Sequence, residues 1–159
     1  MTKPGVRLHI PGGATLRLQH LVLDVNGTLA LDGRLEPGVA ERLGSLGELR
    51  EVHLLTADTH GRQQEIDRAL GLQATRLTAG HEREQKEAFV RALPGAVAAV
   101  GNGRNDVFML RAADLAIAVL GGEGLCQETL LAAQVLARSP AEALDLLRFP
   151  TRLVATLRS

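Results

Sequence analysis

The feature that most constrains this chain is a rhythm of short apolar runs alternating with segments of helical periodicity. "LVLD" (21–24), "EVHLLT" (51–56), "AVAAVGN" (96–102), "LAIAVL" (115–120) and "QVLA" (134–137) each have strand length, and most are apolar on both faces. Strands of that kind belong to a parallel sheet covered on both sides, because an antiparallel sheet with one wet face would alternate polar and apolar residues. The expected architecture is therefore α/β, with a central parallel sheet between two helical layers. Its chemistry should lie at the carboxyl ends of the strands.

The segments between the runs fit that plan. Pro37 opens a helix that carries Val39, Leu43 and Leu46 on one face. Residues 60–71 read as a helix stopped by Gly71, "ATRLT" (74–78) as a short strand, and "EREQKEAFVRAL" (82–93) as a helix ended by Pro94-Gly95. Short helices are expected over 105–113 and 124–133, and "SPAE" (139–142) reads as a capping box with Pro at the first helical position. "PTRLVATLR" (150–158) should form a final turn or two of helix. Ahead of all this, "VRLHI" and "ATLRLQ" flank Pro11-Gly12-Gly13 and alternate in polarity, which predicts a β-hairpin. The expected organisation is one domain over 1–159, with the hairpin in 1–19 and the core in 20–159.

Composition narrows the functional classes. Eighteen basic residues balance eighteen acidic ones, which leaves no global field to recruit nucleic acid or an anionic membrane. There is no Trp or Tyr to stack on bases. No apolar run reaches the roughly 20 residues needed to cross a bilayer, and the first residues lack the apolar core of a signal peptide. The single cysteine, Cys126, cannot pair internally and suits a reducing compartment. These observations predict a cytoplasmic protein that binds neither nucleic acid nor membrane. Arg outnumbers Lys sixteen to two, so an internal lysine such as Lys86 asks for a reason.

Four features fall at or beside strand ends: Asp24 in "DVNGTL", Thr56 in "HLLTAD", Lys86, and "GNGRND" at 101–106. Together they meet the needs of phosphoryl transfer. A carboxylate attacks, a cation spreads the charge of the equatorial oxygens, and small hydroxyl or backbone donors hold them. Asp24, a turn carbonyl at Asn26, Asn102 and Asp106 offer the hard oxygen ligands that Mg²⁺ requires. Gly27, Gly101 and Gly103 let backbone approach a phosphate closely.

In order and spacing these motifs resemble the four motifs of the haloacid dehalogenase (HAD) superfamily, over about residues 20–120. Within it the chain looks most like small soluble relatives of the P-type ATPase phosphorylation domain, with its Asp-Lys-Thr-Gly-Thr, Thr-Gly-Asp and Gly-Asp-Gly-x-Asn-Asp motifs. The resemblance implies a Rossmann-like three-layer sandwich. It also implies Asp24 as the nucleophile that becomes an aspartyl-phosphate, with Thr56, Ala57, Gly27 and Lys86 binding the phosphoryl group. Mg²⁺ would be held by Asp24, the carbonyl of Asn26, Asn102 and Asp106. Asp58 matches the Asp of Thr-Gly-Asp, or else caps the helix that follows.

Two positions depart from the pattern. Phosphatases of the superfamily carry Asp two residues after the nucleophile, as the acid–base; Asn26 stands there and can neither give nor take a proton. Losing such a group typically costs about 10²–10⁴-fold. Asn102 replaces a second Asp, keeping an oxygen ligand but one negative charge fewer. Both asparagines precede glycine, a dipeptide prone to deamidation, which would restore Asp. The 27 residues between Thr28 and Thr56, and the 29 between Thr56 and Lys86, leave no room for a cap domain. Relatives without caps generally close the site by oligomerising or act on large substrates, and the Pro-Gly-Gly tip is the candidate intersubunit element. The expectation is a slow Mg²⁺-dependent phosphohydrolase acting on a phosphorylated substrate. The alternative is an impaired relative that binds Mg²⁺ and a phosphorylated ligand or partner as a regulatory module.

Overall fold

The computed structural model describes residues 3–49, 51–58 and 61–159. Its centre is strand β2 (Thr15–Asp24), ten residues long and used twice. The first half pairs antiparallel with β1 (Val6–His9), in the register Val6 to Leu18, across the Pro11–Gly13 turn. The second half is flanked by two parallel neighbours, β5 (Glu51–Thr56) and β7 (Ala96–Gly101). The sheet is completed by β6 (Thr75–Arg76) beyond β5, and by β8 (Leu115–Val119) and then β9 (Val135–Ala137) beyond β7, giving the order β6-β5-β2-β7-β8-β9. Apart from β1, every pairing in this sheet is parallel.

Helices cover both faces because side chains alternate along each strand. Leu21, Leu23, Leu54 and Ile117 point into one apolar layer. There they meet Val39 and Leu43 of α1 (Val39–Gly44), Ile66 of α2 (Gln63–Leu70), Leu144 and Leu147 of α6 (Pro140–Arg148), and Leu153 of α7 (Pro150–Leu157). Val22, Leu55, Ala99 and Ala116 point the other way. They pack on Val90 of α3 (Glu82–Ala92), Val107 and Leu110 of α4 (Val107–Ala112), and Ala132 of α5 (Gln127–Ala132). The result is an α/β three-layer sandwich of the kind the sequence predicts.

Several boundaries differ from expectation for local reasons. Helix α1 stops at Gly44, so Leu46 reaches the core from a turn rather than from a helix. Helix α2 begins at Gln63, not at residue 60, which lies outside the described residues. At Ser139 only half of the capping box forms. The Ser139 hydroxyl accepts from the Glu142 backbone N–H at 3.1 Å, but the Glu142 carboxylate turns to the Arg138 backbone and guanidinium instead. A two-stranded ribbon, β3 (Ala30–Leu31) with β4 (Arg34–Leu35), occupies the segment after the Asp24 turn, and no cap domain is inserted there among the described residues. No helix among the described residues is long and apolar enough to cross a membrane.

Candidate active site

Strands β2, β5 and β7 end side by side, which brings Asp24, Thr56 and the 101–106 loop together. Beyond Asp24 the chain turns sharply: the backbone N–H groups of Thr28, Leu29 and Ala30 all point to the Val25 carbonyl. Gly27 sits in this turn at φ 78°, a left-handed conformation that side chains disfavour. A Cβ at Gly27 would also collide with the carboxylate of Glu123, which packs against it from the loop after β8.

Lys86 reaches this corner from the middle of α3. Its Nζ donates to Asp24 Oδ1 at 2.7 Å and to Asp106 Oδ1 at 2.6 Å, with all three side chains almost wholly buried. Burial works against the ammonium, but the charges of Asp24 and Asp106 outweigh it and hold the lysine pKa well above its ordinary value. Burial, helped by the Asp106 charge and opposed by Lys86, pushes the Asp24 carboxyl up to about 7. Two buried carboxylates thus share a single cation, a surplus of negative charge that a second cation would relieve.

The second oxygen of Asp24 accepts a 2.9 Å hydrogen bond from the Thr28 hydroxyl, which also lies 3.1 Å from Asn102 Oδ1. One hydroxyl carries one proton, so Asp24 and Asn102 compete for it, and their oxygens converge on one point. Asp106 is more committed: its Oδ2 accepts from the backbone N–H of Asn102 and of Gly103, each at 3.0 Å, while Oδ1 holds Lys86. It braces the loop and aims the lysine from behind the cavity. Asn26 donates through Nδ2 to Thr56 Oγ1 at 3.0 Å, and the Asp58 backbone N–H donates to the same oxygen at 2.9 Å. Asp58 in turn accepts from the first backbone N–H of α2 at 3.2 Å, doing the work of a cap although it is not the residue next to the helix.

These groups border a cavity of about 200 Å³. Asp24, Asn26, Ala57, Lys86 and Asn102 line it, whereas Thr56 is buried beneath Asn26. The volume admits a phosphoryl group and little more, below the roughly 300–1,000 Å³ of pockets that enclose whole small ligands. Glu82, Asn105 and Glu123 also line it; the sequence reading missed them. Asn105 belongs to the 101–106 motif itself but was given no role there, and Glu82 sits four residues from Lys86; both were recoverable. Glu123 lies in a Gly-rich loop with no periodicity to announce it. The backbone N–H groups that would attack Asn26 and Asn102 in deamidation belong to Gly27 and Gly103. Both already donate, to the Ala30 carbonyl at 2.8 Å and to Asp106 at 3.0 Å, which opposes the reaction.

The oxygen donors converging beside Asp24 suit a hard cation such as Mg²⁺: a carboxylate, an amide oxygen and a surplus of negative charge. The residues that would hold it are Asp24, Asn102 and the Asn26 carbonyl, with Asp106 one layer behind.

No family model matches the chain. Two uncharacterised proteins of Methanocaldococcus jannaschii do. One is 44% identical over 62 residues, covering 39% of this chain and 67% of that protein. The other is 51% identical over 39 residues, covering 24% and 89%. Among solved structures, the 3-deoxy-D-manno-octulosonate 8-phosphate phosphatase of Moraxella catarrhalis, in complex with magnesium, phosphate and KDO, superposes with a TM-score of 0.66 at 15% identity, covering 89% of this chain and 94% of that one. The cobalt-bound form of the corresponding Haemophilus influenzae phosphatase gives 0.64 at 13% identity, covering 89% of each chain. A zinc-transporting PIB-type ATPase gives 0.61 at 27% identity, over 77% of this chain and 20% of the pump. The chain belongs to one family with the two archaeal proteins, and its fold is that of the haloacid dehalogenase superfamily.

Proposed function

We propose that the chain, as one domain over 1–159, is a Mg²⁺-dependent phosphoryl-transfer enzyme working through Asp24, a phosphohydrolase of slow turnover. The observation that carries the reading is the buried Lys86 ammonium bridging Asp24 and Asp106, a cation fixed beside the carboxylate where phosphoryl charge would develop. The likeness to Mg²⁺-complexed phosphatase folds supports it. Asp24 Oδ attacks phosphorus, the bond from phosphorus to the leaving oxygen breaks, and the leaving group departs with the electron pair. Lys86 would offset charge on the transferring oxygens, whereas the backbone N–H groups of Gly27, Thr28 and Asp58 already donate within the protein. Bound Mg²⁺ would add charge neutralisation at the same oxygens.

Release is the slow half. Water must then attack the aspartyl-phosphate, and Asn26 offers no base. Among the described residues lining the cavity, Glu123 is the carboxylate that makes no hydrogen bond, while the Glu82 carboxylate accepts from Gly80. We assign part of that role to Glu123, which lines the cavity and packs on the Gly27 turn.

The test is intact-mass analysis after incubation with acetyl phosphate and Mg²⁺, with released phosphate followed in parallel and Asp24→Asn as control. An adduct that accumulates in the native chain alone supports the reading. The regulatory-module alternative is favoured by Asn26, whose amide is tied to Thr56 rather than free for chemistry. It gains if neither adduct nor release appears while Mg²⁺ and phosphate still bind.

A further inference from the structure

A second cluster of ligand-type side chains lies in the sheet, away from the cavity. His20 sits on β2, four residues before Asp24 and so about 13 Å from it along the strand. In the parallel register His20 pairs with Glu51, and Val22 pairs with His53, which sets three ligand side chains around one point on adjacent strands. His20 Nδ1 and His53 Nε2 are 3.2 Å apart, and the Glu51 carboxylate lies 3.7 Å from His53 Nε2. All three ligand atoms fall within 4.8 Å of one another, the one such trio of His, Cys, Asp or Glu among the described residues.

The surroundings fix these rings as they would for a ligand. His20 Nε2 lies 2.9 Å from the Pro94 carbonyl, which can only accept, so that nitrogen carries the proton and Nδ1 presents its lone pair to the cluster. A histidine ligand whose far N–H is tied to a backbone carbonyl is the common second layer of a metal site. The His53 ring rests edge-on against Phe89 of α3, with centroids 5.2 Å apart. Two nitrogens on one tetrahedral Zn²⁺, each about 2.0–2.1 Å from the metal, stand about 3.3 Å apart; the nitrogen spacing of 3.2 Å matches this, and the Glu51 carboxylate has to close in from 3.7 Å. Glu51 is half exposed, which leaves an entry path and a place for water as a fourth ligand.

We propose that His20, His53 and Glu51 form a binding site for one divalent transition-metal ion of the zinc class, separate from the oxygen-lined site at Asp24. Two imidazoles and one carboxylate select Zn²⁺, Co²⁺ or Ni²⁺ over Mg²⁺. On binding, His53 moves its single proton from Nε2 to Nδ1 and no net charge change is needed. The ion would clamp β2 to β5 and, through Pro94, the end of the helix that carries Lys86. The site stands whether or not Asp24 performs phosphoryl transfer.

The test is titration of the full chain with Zn²⁺ by calorimetry and with Co²⁺ by visible absorption, together with melting in each metal. It is run in the Asp24→Asn background so that the oxygen-lined site does not contribute. We expect one Zn²⁺ per chain, Co²⁺ bands of a tetrahedral nitrogen–oxygen site, and a rise in Tm. Glu51→Gln should weaken binding about tenfold and His53→Ala at least a hundredfold. Glu51 is exposed enough that its variant folds, so it carries the test if His53→Ala is unstable. Absence of stoichiometric Zn²⁺ binding in the Asp24→Asn chain, or affinity unmoved by both variants, overturns the proposal.

Discussion

At the scale of single residues, the arrangement turns on a two-to-one ratio of buried carboxylates to cations. Replacing Lys86 by Met leaves Asp24 and Asp106 without their shared cation, and breaking a buried pair from one side typically costs about 3–5 kcal/mol; urea unfolding should show it. The Asp24→Asn/Lys86→Met double variant should recover part of that loss, because it removes one orphaned charge. At position 26 the expected change is in rate. Asn26→Asp should speed loss of the phosphate adduct about 10²–10⁴-fold, read by the decay of the phosphorylated mass, and an unchanged decay would remove Asn26 from the explanation of slowness. The residues of this corner were legible in the sequence to different degrees. Asp24 ends an apolar strand and Lys86 is one of two lysines, so both stood out. The bridging hydroxyl of Thr28 did not, because its second partner lies 74 residues away. The His20–His53 pair was hidden for the same reason: a separation of 33 residues becomes a contact only through the register of β2 and β5.

At the scale of elements, the strands were the most legible part, since a continuous apolar run admits few alternatives. Helix limits were less so, because the residue that caps a helix start need not be the one next to it, as with Asp58, five residues before Gln63. The β3–β4 ribbon was invisible, two residues a side being too short for any period. Packing of α1 on α6 carries its own electrostatic tie, Arg42 to Asp145 at 2.9 Å, joined by Arg148 at 2.8 Å. Partial burial raises the Asp145 pKa, but hydrogen bonds from Arg42 and Arg148 outweigh it and hold the carboxyl below its ordinary 3.8. A carboxyl depressed in the folded state stabilises fully above its unfolded pKa and loses that contribution as pH falls through the folded one. Asp145→Asn should therefore lower Tm at pH 7 and flatten the decline of Tm below about pH 4, measured by melting from pH 7 to 2.5. In the Asp24 turn, Gly27→Ala should cost about 1–3 kcal/mol from its left-handed backbone, and it displaces Glu123 as well.

At the scale of the whole molecule, the lack of a cap among the described residues and the small cavity act together. Under the proposed function, only the phosphoryl end of a substrate would fit the cavity of about 200 Å³, which leaves little surface to distinguish the rest. Phosphate monoesters of equal leaving-group acidity but different bulk should show KM values within about tenfold, or roughly 1.4 kcal/mol. A steady-state series with aryl phosphates checks this, and a preference of 10³ or more for one bulky ester would mean that another surface, such as a second copy of the chain, completes the site.

The long strand β2 carries one further consequence. It carries Asp24, the proposed nucleophile, yet its partners come from residues 51–55 and 96–100, and the cation beside Asp24 from residue 86. Contacts so distant in sequence form late, because loop closure must precede them. The reactive corner is therefore expected to assemble only once these long loops have closed. Time-resolved phosphorylation during refolding would report the last step of folding rather than the first, and appearance of the adduct should lag the recovery of helical circular dichroism.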